Sequence, residues 1–149
     1  MKIEKKIVSY ESLDAEFLGL TLLSKEEYIE LESNIPIVDF WWWLRSPGSS
    51  SSSAFLIGYY GSRLDCSVNS GSIAVRPAII IQESSHLKVG DNFWFYAHNW
   101  TVISDNYALC DEEFCYMPFN RDFSADDVNN YNNSDIKRYL DREFEKMKG

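Results

Sequence analysis

A run of five bulky apolar residues, Phe40 to Leu44, most constrains what this chain can fold into. It contains three consecutive indoles: Trp41, Trp42 and Trp43. Successive side chains of a strand point to opposite faces, so these three cannot all face one way. One or two must enter a core, where each buries a large area and its N–H needs an acceptor. The sequence therefore predicts a substantial core around this segment.

The chain is long enough for one such core. It has 149 residues, of which 45% are apolar and 15% aromatic, a composition typical of a folded domain. No linker or internal repeat divides it, so we expect a single domain over residues 1–149. The mixture of short strand patterns and helical patterns predicts an α+β fold with short antiparallel strands, two to three helices and long irregular loops.

Two helices are well marked. Ser24 and Glu27 have capping-box spacing and predict a short helix over Lys25 to Glu32. Near the end of the chain, Ser134 or Asn133 caps an amphipathic helix. Its apolar stripe is Ile136, Leu140, Phe144 and Met147. A weaker pattern suggests another helix near Ser12 to Phe17.

Strand patterns fill much of the remainder. Short strands are predicted at Ala54–Tyr59 and Arg63–Val68, and a longer one at Ile73–Ile81. Pro77 cannot donate to a sheet ladder and implies an edge or a bulge there. Residues 88–120 indicate an antiparallel meander, with a turn at His98-Asn99. Residues 121–133 indicate an irregular loop.

Charge excludes several classes of partner. The formal charge is −9, from 23 acidic and 14 basic residues, so a phosphate-tracking basic face is not expected. We predict no nucleic-acid partner. The first ten residues lack the apolar region of a secretory signal, and the apolar runs are too short to cross a bilayer. We therefore expect no membrane insertion and no export by its own signal. The protein can still reach the outside of the cell in a virus particle or through lysis.

Catalytic and metal-binding patterns are weak. Three cysteines, Cys66, Cys110 and Cys115, do not suggest a disulfide framework or a zinc site, and free thiols are the simpler interpretation. The sequence has no Gly-x-Ser-x-Gly elbow and no phosphate loop. We predict no catalytic residue, no metal and no cofactor. A calcium site in the loop after residue 121 is the alternative to a solvated acidic loop, although EF-hand spacing is lacking. Its acidic and amide residues are Asp122, Asp126, Asp127 and Asn129.

Two stretches carry a family resemblance. Trp42-Trp43-Leu44-Arg45-Ser46-Pro47-Gly48, followed by Val75-Arg76-Pro77-Ala78, resembles the hallmark of a C-type-lectin-like domain family of bacteria and phages. The stretch from Lys88 through Trp100-Thr101-Val102 to residues 134–140 is similar to the part that usually precedes that hallmark. Here it comes after the hallmark, so the chain looks like a permuted member.

The resemblance implies a C-type-lectin-like fold and a non-enzymatic, receptor- or adhesin-like protein of phage or phage-derived origin. Its relatives include the variable proteins of diversity-generating retroelements, in which a rigid scaffold displays a changeable binding face. The implied ligand is a protein or carbohydrate on a cell surface, and trimers among relatives allow a homo-oligomer. The implied scaffold residues are Trp42, Trp43, Arg45, Pro47, Gly48, Arg76 and Pro77.

Both hallmark arginines have a structural interpretation. Arg45 and Arg76 flank proline-containing turns, where a guanidinium can bond loop carbonyls or a carboxylate. We expect them to act as anchors that fix the rim of the variable region. Direct ligand binding by either arginine is the alternative.

The implied variable segment lies at about Ser49 to Ile73. In the retroelement systems of these relatives, a reverse transcriptase miscopies adenines. Randomising the first two bases of an Asn codon that ends in a pyrimidine cannot yield Lys, Glu, Gln, Met or Trp. None of these five types occurs between Leu44 and Ile81. They make up 29 of the 149 residues, so about seven would be expected in such a span. A plain Ser/Gly-rich loop region is the alternative explanation.

The residue types of this segment suit a binding face. Tyr gives contact area at low entropic cost, while Ser, Gly and Asn give adaptable hydrogen bonds. We expect Tyr59, Tyr60 and Arg63 to be anchors, with Asp65 setting charge preference. The full predicted surface is Ser50, Ser52, Phe55, Ile57, Tyr59, Tyr60, Arg63, Asp65, Ser67, Asn69, Ser70 and Ser72.

Three other interpretations stay open. The segment can be an exposed strand pair with ordinary polar side chains. The protein can be a structural phage component of the same fold with no diversified site. It can also be a relative of formylglycine-generating enzymes, although those need paired reactive cysteines, and Cys66 lies apart in sequence from Cys110 and Cys115.

Overall fold

The computed structural model describes residues 6–7, 16–82, 86–122, 124 and 126–149, with side chains from residue 16 onward. Within these residues the fold is mixed α+β, with two mostly antiparallel sheets and two α-helices. In chain order the elements are β1 (Lys6–Ile7), β2 (Phe17–Thr21), α1 (Lys25–Leu31), β3 (Trp42–Pro47), β4 (Ser53–Ile57), β5 (Arg63–Ser67), β6 (Ala74–Val75), β7 (Ala78–Ile81), β8 (Asn92–Phe95), β9 (His98–Val102), β10 (Tyr107–Cys110), β11 (Cys115–Tyr116) and α2 (Asp135–Met147).

One sheet has six strands in the order β1-β8-β9-β10-β7-β2, and the other has five in the order β11-β6-β3-β4-β5. Two pairings are parallel, β1 with β8 and β3 with β6, and the others are antiparallel. The first sheet combines strands from both motif-bearing parts of the chain, because β7 pairs with β10.

The predicted strand at Ile73–Ile81 is wrong as a single element. It is two strands, β6 and β7, and they belong to different sheets. Arg76 and Pro77 lie between them, where Pro77 supplies only its carbonyl, accepting a hydrogen bond from the amide of Cys110 at 2.9 Å. Pro77 therefore marks a crossing between sheets, because it has no amide proton to continue a ladder.

The turn predicted at His98-Asn99 is also misplaced. Phe95 pairs with His98, so the turn is formed by Tyr96 and Ala97, both at positive φ (52° and 60°). Positive φ at both central positions suits a two-residue hairpin, but Gly or Asn is the usual sequence signal. Tertiary contacts hold the turn, because the Tyr96 hydroxyl donates to Glu143 on α2 at 3.1 Å.

Both well-marked helices are confirmed. At the start of α1, the Ser24 hydroxyl accepts from the amide of Glu27, and the Glu27 carboxylate accepts from the amide of Ser24. The Ser134 hydroxyl caps α2, whose stripe buries Ile136, Leu140 and Met147. The weaker helix near Ser12 to Phe17 falls mainly on residues outside the described part, and Phe17 itself begins β2.

Apolar side chains form two clusters. The larger one lies between the sheets and α2 and includes Trp43, Leu56 and Trp100. The smaller one lies on the other face of β3 and β4 and includes Tyr28, Trp42 and Ile57. Because both faces of β3 are covered, Trp42 and Trp43 are both buried although they point in opposite directions.

A candidate ligand-binding surface at one edge of the second sheet

The β4–β5 hairpin carries most of the predicted contact residues and divides them into two groups. The loops at 48–52 and 68–73 meet at one end, which we call the serine end. The turn at 58–62 forms the opposite end, which we call the tyrosine end. Five-residue strands separate the two ends by roughly 15 Å, so the predicted surface is not one contiguous patch.

Hydrogen bonds hold the serine end in place. The Ser52 carbonyl accepts from the amide of Val68 at 2.9 Å. From the far part of the chain, the Asn129 side chain donates to the carbonyls of Ser50 and Ser53 at 3.1 and 3.0 Å. The backbone of this low-complexity segment is therefore fixed by the fold. Of the predicted residues it displays Ser50, Ser52, Asn69, Ser70 and Ser72, which are exposed or half-buried, and Ser67 is exposed at the adjoining end of β5.

The strands between the ends offer less contact surface than predicted. Ile57 is only 2% exposed and packs in the smaller apolar cluster, so its assignment to the contact surface is wrong. Strand alternation places it on the face covered by α1. Phe55 shares that face and is half-buried, with the Lys25 ammonium 4.4 Å from its ring centroid.

The two charged residues of β5 already have partners. Asp65 accepts a hydrogen bond from the amide of Ser49 at 2.6 Å, and bonding to Ser49 lowers the pKa of the Asp65 carboxyl. The Arg63 guanidinium lies 2.8 Å from the Glu32 carboxylate. Because Asp65 bonds the rim of the serine end, it is poorly placed to set charge preference at the tyrosine end.

The tyrosine end is the most exposed aromatic part of the described chain. Tyr60 is 91% exposed and Tyr59 is 54% exposed, and Tyr59 packs edge-on against Trp41 at a centroid distance of 5.9 Å. Tyr60 has a left-handed backbone, with φ 59° and ψ 24°. A bulky residue seldom takes this conformation, which costs free energy and is found preferentially at functional sites.

A groove of about 520 Å³ opens beside these tyrosines, and we call it the tyrosine groove. Its volume lies within the usual range for ligand sites. Two segments outside the predicted variable region supply its other walls. The lining residues are Ile37, Val38, Asp39, Phe40, Tyr59, Tyr60, Asp111, Glu112 and Glu113.

Four carboxylates lie on the walls of the tyrosine groove. Asp111 accepts from the Thr101 hydroxyl at 2.6 Å, and Glu112 accepts from the amide of Asn99 at 3.0 Å. Among the described residues, Asp39 and Glu113 form no hydrogen bond or ion pair. Their field reaches Tyr116, whose pKa is raised first by burial and then by the charges of Glu113 and Asp39. The groove is therefore aromatic and negatively charged.

Sequence reasoning missed both outer walls. The run Asp111-Glu112-Glu113 is visible in the sequence, but nothing local indicates that it approaches Tyr59. The run leads from β10 into β11, which pairs with β6. Because β6 pairs with β3, and Trp42 of β3 pairs with Ile57 just before the β4–β5 turn, the proximity is a long-range consequence of strand pairing.

The hallmark residues are mostly internal. Trp42, Trp43, Arg76 and Pro77 are buried. The Trp43 indole N–H donates to the Met117 carbonyl at 2.9 Å, which satisfies the acceptor that a buried indole needs.

The two arginines bond within the chain. Arg45 donates to the Leu22 carbonyl at 2.6 Å and to the Glu27 carboxylate at 2.7 Å. Arg76 donates to the carbonyls of Cys110 and Pro36 at 2.6 and 3.0 Å. Burial lowers the pKa of Arg76 to about 10. Both guanidiniums therefore bond other segments of the chain, none of them within residues 49–73.

At the turn after β3, Pro47 is exposed and Gly48 is half-buried. The Gly48 amide donates to the Ser53 carbonyl at 2.7 Å. This bond closes the serine loop over the start of β4.

Other chemistry-bearing groups are few. All three cysteines are free, and burial raises the pKa of each thiol, to about 12 for Cys110. Across the part of the chain that the structure describes, no group of three or more His, Cys, Asp or Glu could hold a metal ion. In that same part, neither helix is long and apolar enough to cross a membrane.

The fold and this surface define a mixed α+β chain with an aromatic, acidic groove at a sheet edge. Residues 10–83, which are 74 of the 149 residues, match a family described only as a domain of unknown function, DUF6273. That match includes the first hallmark stretch, both ends of the β4–β5 hairpin and Val75-Arg76-Pro77-Ala78. No curated protein and no solved structure matches the chain.

Proposed function

We propose that this protein is a non-enzymatic, receptor- or adhesin-like binding protein with a C-type-lectin-like fold. Its segment Ser49 to Ile73 is the face that a retroelement diversifies, in a protein of phage or phage-derived origin. The observation that carries the proposal is the separation of roles along the chain. Hallmark residues flank both borders of the segment, with Trp42 and Trp43 buried on one side and Arg76 and Pro77 on the other. The loops of the segment display Ser, Asn, Tyr and Arg to solvent.

The mixed architecture supports the proposed fold. Short antiparallel strands, two helices and long irregular connections are what the resemblance implies. The permuted order is compatible with one fold, because β7 from the hallmark part pairs directly with β10 from the other part. The two motif-bearing parts also share the larger apolar cluster.

Thiol chemistry supports a binding protein over an oxidase of the formylglycine-generating type. A thiolate is the reactive form of cysteine, and burial disfavours it here at Cys66, Cys110 and Cys115. Cys66 pairs with Ala54 in the second sheet, whereas Cys110 pairs with Trp100 in the first. These two thiols therefore lie in different sheets.

Burial divides the diversified segment into tolerant and intolerant positions. Tyr59, Tyr60, Arg63 and the solvent-facing serine-end residues can change without touching the core, whereas Val68 and Ile73 in the serine end are core residues. Ala54, Leu56 and Ile57 are buried in strand β4, where a polar or larger residue would disrupt packing. Diversification should therefore affect the two ends of the hairpin and spare its centre.

The test is to sequence this gene in many related isolates, together with any neighbouring near-copy. We expect substitutions in the codons of the solvent-facing residues of the tyrosine and serine ends, at positions where the near-copy has adenine. The codons of Ala54, Leu56 and Ile57 should stay constant. Variation that is scattered along the chain, or unrelated to adenine, would contradict the diversification mechanism.

A further inference from the structure

We infer that the tyrosine groove binds a positively charged segment of a protein partner, through its lysine or arginine side chains. This inference rests on the proposed binding function and names the chemical class of its ligand. It is carried by the contrast between an exposed aromatic platform and two carboxylates, Asp39 and Glu113, that form no hydrogen bond or ion pair with the described residues.

The apolar part of the platform extends beyond the two tyrosines. Ile37 is 74% exposed and Tyr116, near Tyr59, is 51% exposed. Exposed apolar groups that cluster beside polar ones are typical of protein interaction sites. Tyrosine faces also attract cations, because their quadrupole presents negative charge above the ring.

Charge gives the groove its preference. Among the residues that line it, four are acidic and none is Lys or Arg. Asp39 and Glu113 form no hydrogen bond or ion pair with any residue of the described ranges, and they line the same groove as Asp111 and Glu112. Like charges on the walls of one groove repel one another. A bound cation would relieve that repulsion and would be guided in by the same field.

The shape indicates a polypeptide rather than a metal ion. At about 520 Å³ the groove is far larger than an ion needs, and its walls come from three separated chain segments. A basic peptide can place its aliphatic stem on Ile37 and the tyrosines while its charged end meets the carboxylates.

Constant and variable walls have different tasks in this arrangement. Asp39 and the run 111–113 lie outside the segment Ser49 to Ile73, whereas Tyr59 and Tyr60 lie inside it. Diversification would then change the shape of the groove while its preference for cations stays constant.

The experiment is to select peptides from a random display library on the full-length protein at low ionic strength. We expect enrichment of peptides rich in Lys and Arg. One selected peptide is then titrated against the double variant Asp39→Asn/Glu113→Gln. Binding should weaken about tenfold, because two uncompensated rim charges are lost, and added salt should weaken binding of the original chain.

A matched control carries the same change in net charge away from the groove. Asp105 and Glu145 are exposed and do not line it, so Asp105→Asn/Glu145→Gln should leave the affinity nearly unchanged. Equal effects of both double variants would overturn a specific site. Selection of neutral or acidic peptides, or no enrichment at all, would also overturn the inference.

These outcomes separate the inference from the proposed function. A peptide whose binding is lost in Tyr60→Ala but unchanged in Asp39→Asn/Glu113→Gln would refute the cationic ligand class. It would leave a binding face at the tyrosine end. Basic peptides that bind a protein whose gene shows no adenine-linked variation would support the ligand class and refute the diversification.

Discussion

Gly48 lies where a side chain does not fit. A Cβ atom at this position would lie 2.8 Å from a carboxylate oxygen of Asp65 and would also overlap the Ser53 hydroxyl. The glycine of the Ser-Pro-Gly turn is therefore needed for close packing between the serine loop and β5. This requirement explains a hallmark residue by sterics, without any contact to a ligand.

We predict that Gly48→Ala destabilises the protein by about 1–3 kcal/mol, because neighbouring groups must shift to admit the methyl group. Gly71→Ala is the matched control, since no atom lies within 4 Å of the point where its Cβ would be. Urea unfolding followed by tryptophan fluorescence measures both. Equal midpoints for the two variants would contradict the steric explanation.

The first helix is tied to the hallmark strand through one carboxylate. Glu27 on α1 accepts from the amide of Ser24, from Arg45 on β3 and from the Tyr107 hydroxyl on β10. Burial alone would raise the pKa of Glu27, but these hydrogen bonds outweigh it and lower the pKa below its ordinary value of 4.5.

A lowered pKa means that the folded state binds its proton less readily than the unfolded state does. The stabilisation is therefore fully present above the ordinary value and is lost as the pH falls through the folded-state pKa. We predict that Glu27→Gln costs about 1–3 kcal/mol at neutral pH. It should also flatten the acid side of the stability profile, measured by urea unfolding between neutral pH and about pH 3.

A control for this prediction is Glu30→Gln on the exposed side of the same helix. It removes one negative charge without touching the three hydrogen bonds. The interpretation fails if Glu30→Gln and Glu27→Gln change the acid profile alike.

At the scale of elements, the sequence was informative wherever the signal is local. The Ser24–Glu27 capping box and the stripe of α2 predicted both helices, and the short strands predicted on either side of Gly61 correspond to β4 and β5. The two misplaced features depend on distant contacts. Pro77 sends the chain into another sheet, and the Tyr96-Ala97 turn is held by Glu143, which no local pattern reveals.

At the scale of the molecule, only one wall of the tyrosine groove could be predicted from the sequence. Tyr59 and Tyr60 stood out by residue type, but Asp39 and the run 111–113 reach them through sheet order alone. The hallmark part likewise depends on the later part of the chain. Trp43 donates a hydrogen bond to the Met117 carbonyl, β6 pairs with β11, and β7 pairs with β10.

We therefore predict that residues 10–83, expressed alone, do not form a native core. Near-ultraviolet circular dichroism should show little tryptophan signal, in contrast to the full chain. Adding a separate polypeptide of residues 84–149 should restore part of it, because the missing strands then become available. A cooperative unfolding transition for 10–83 alone would contradict this prediction.

The left-handed backbone of Tyr60 limits which residues diversification can place at this position. Asn, Asp and Gly accept this conformation more readily than Tyr does. Under the adenine-directed copying that we propose, the template codon at this position encodes Asn. One change of its first base from adenine to thymine gives a codon for Tyr. The unedited codon would then encode a residue that the turn prefers, and many edits would strain it. Each residue substituted at position 60 would therefore be under two selections, one for binding a ligand and one for preserving the fold of the turn.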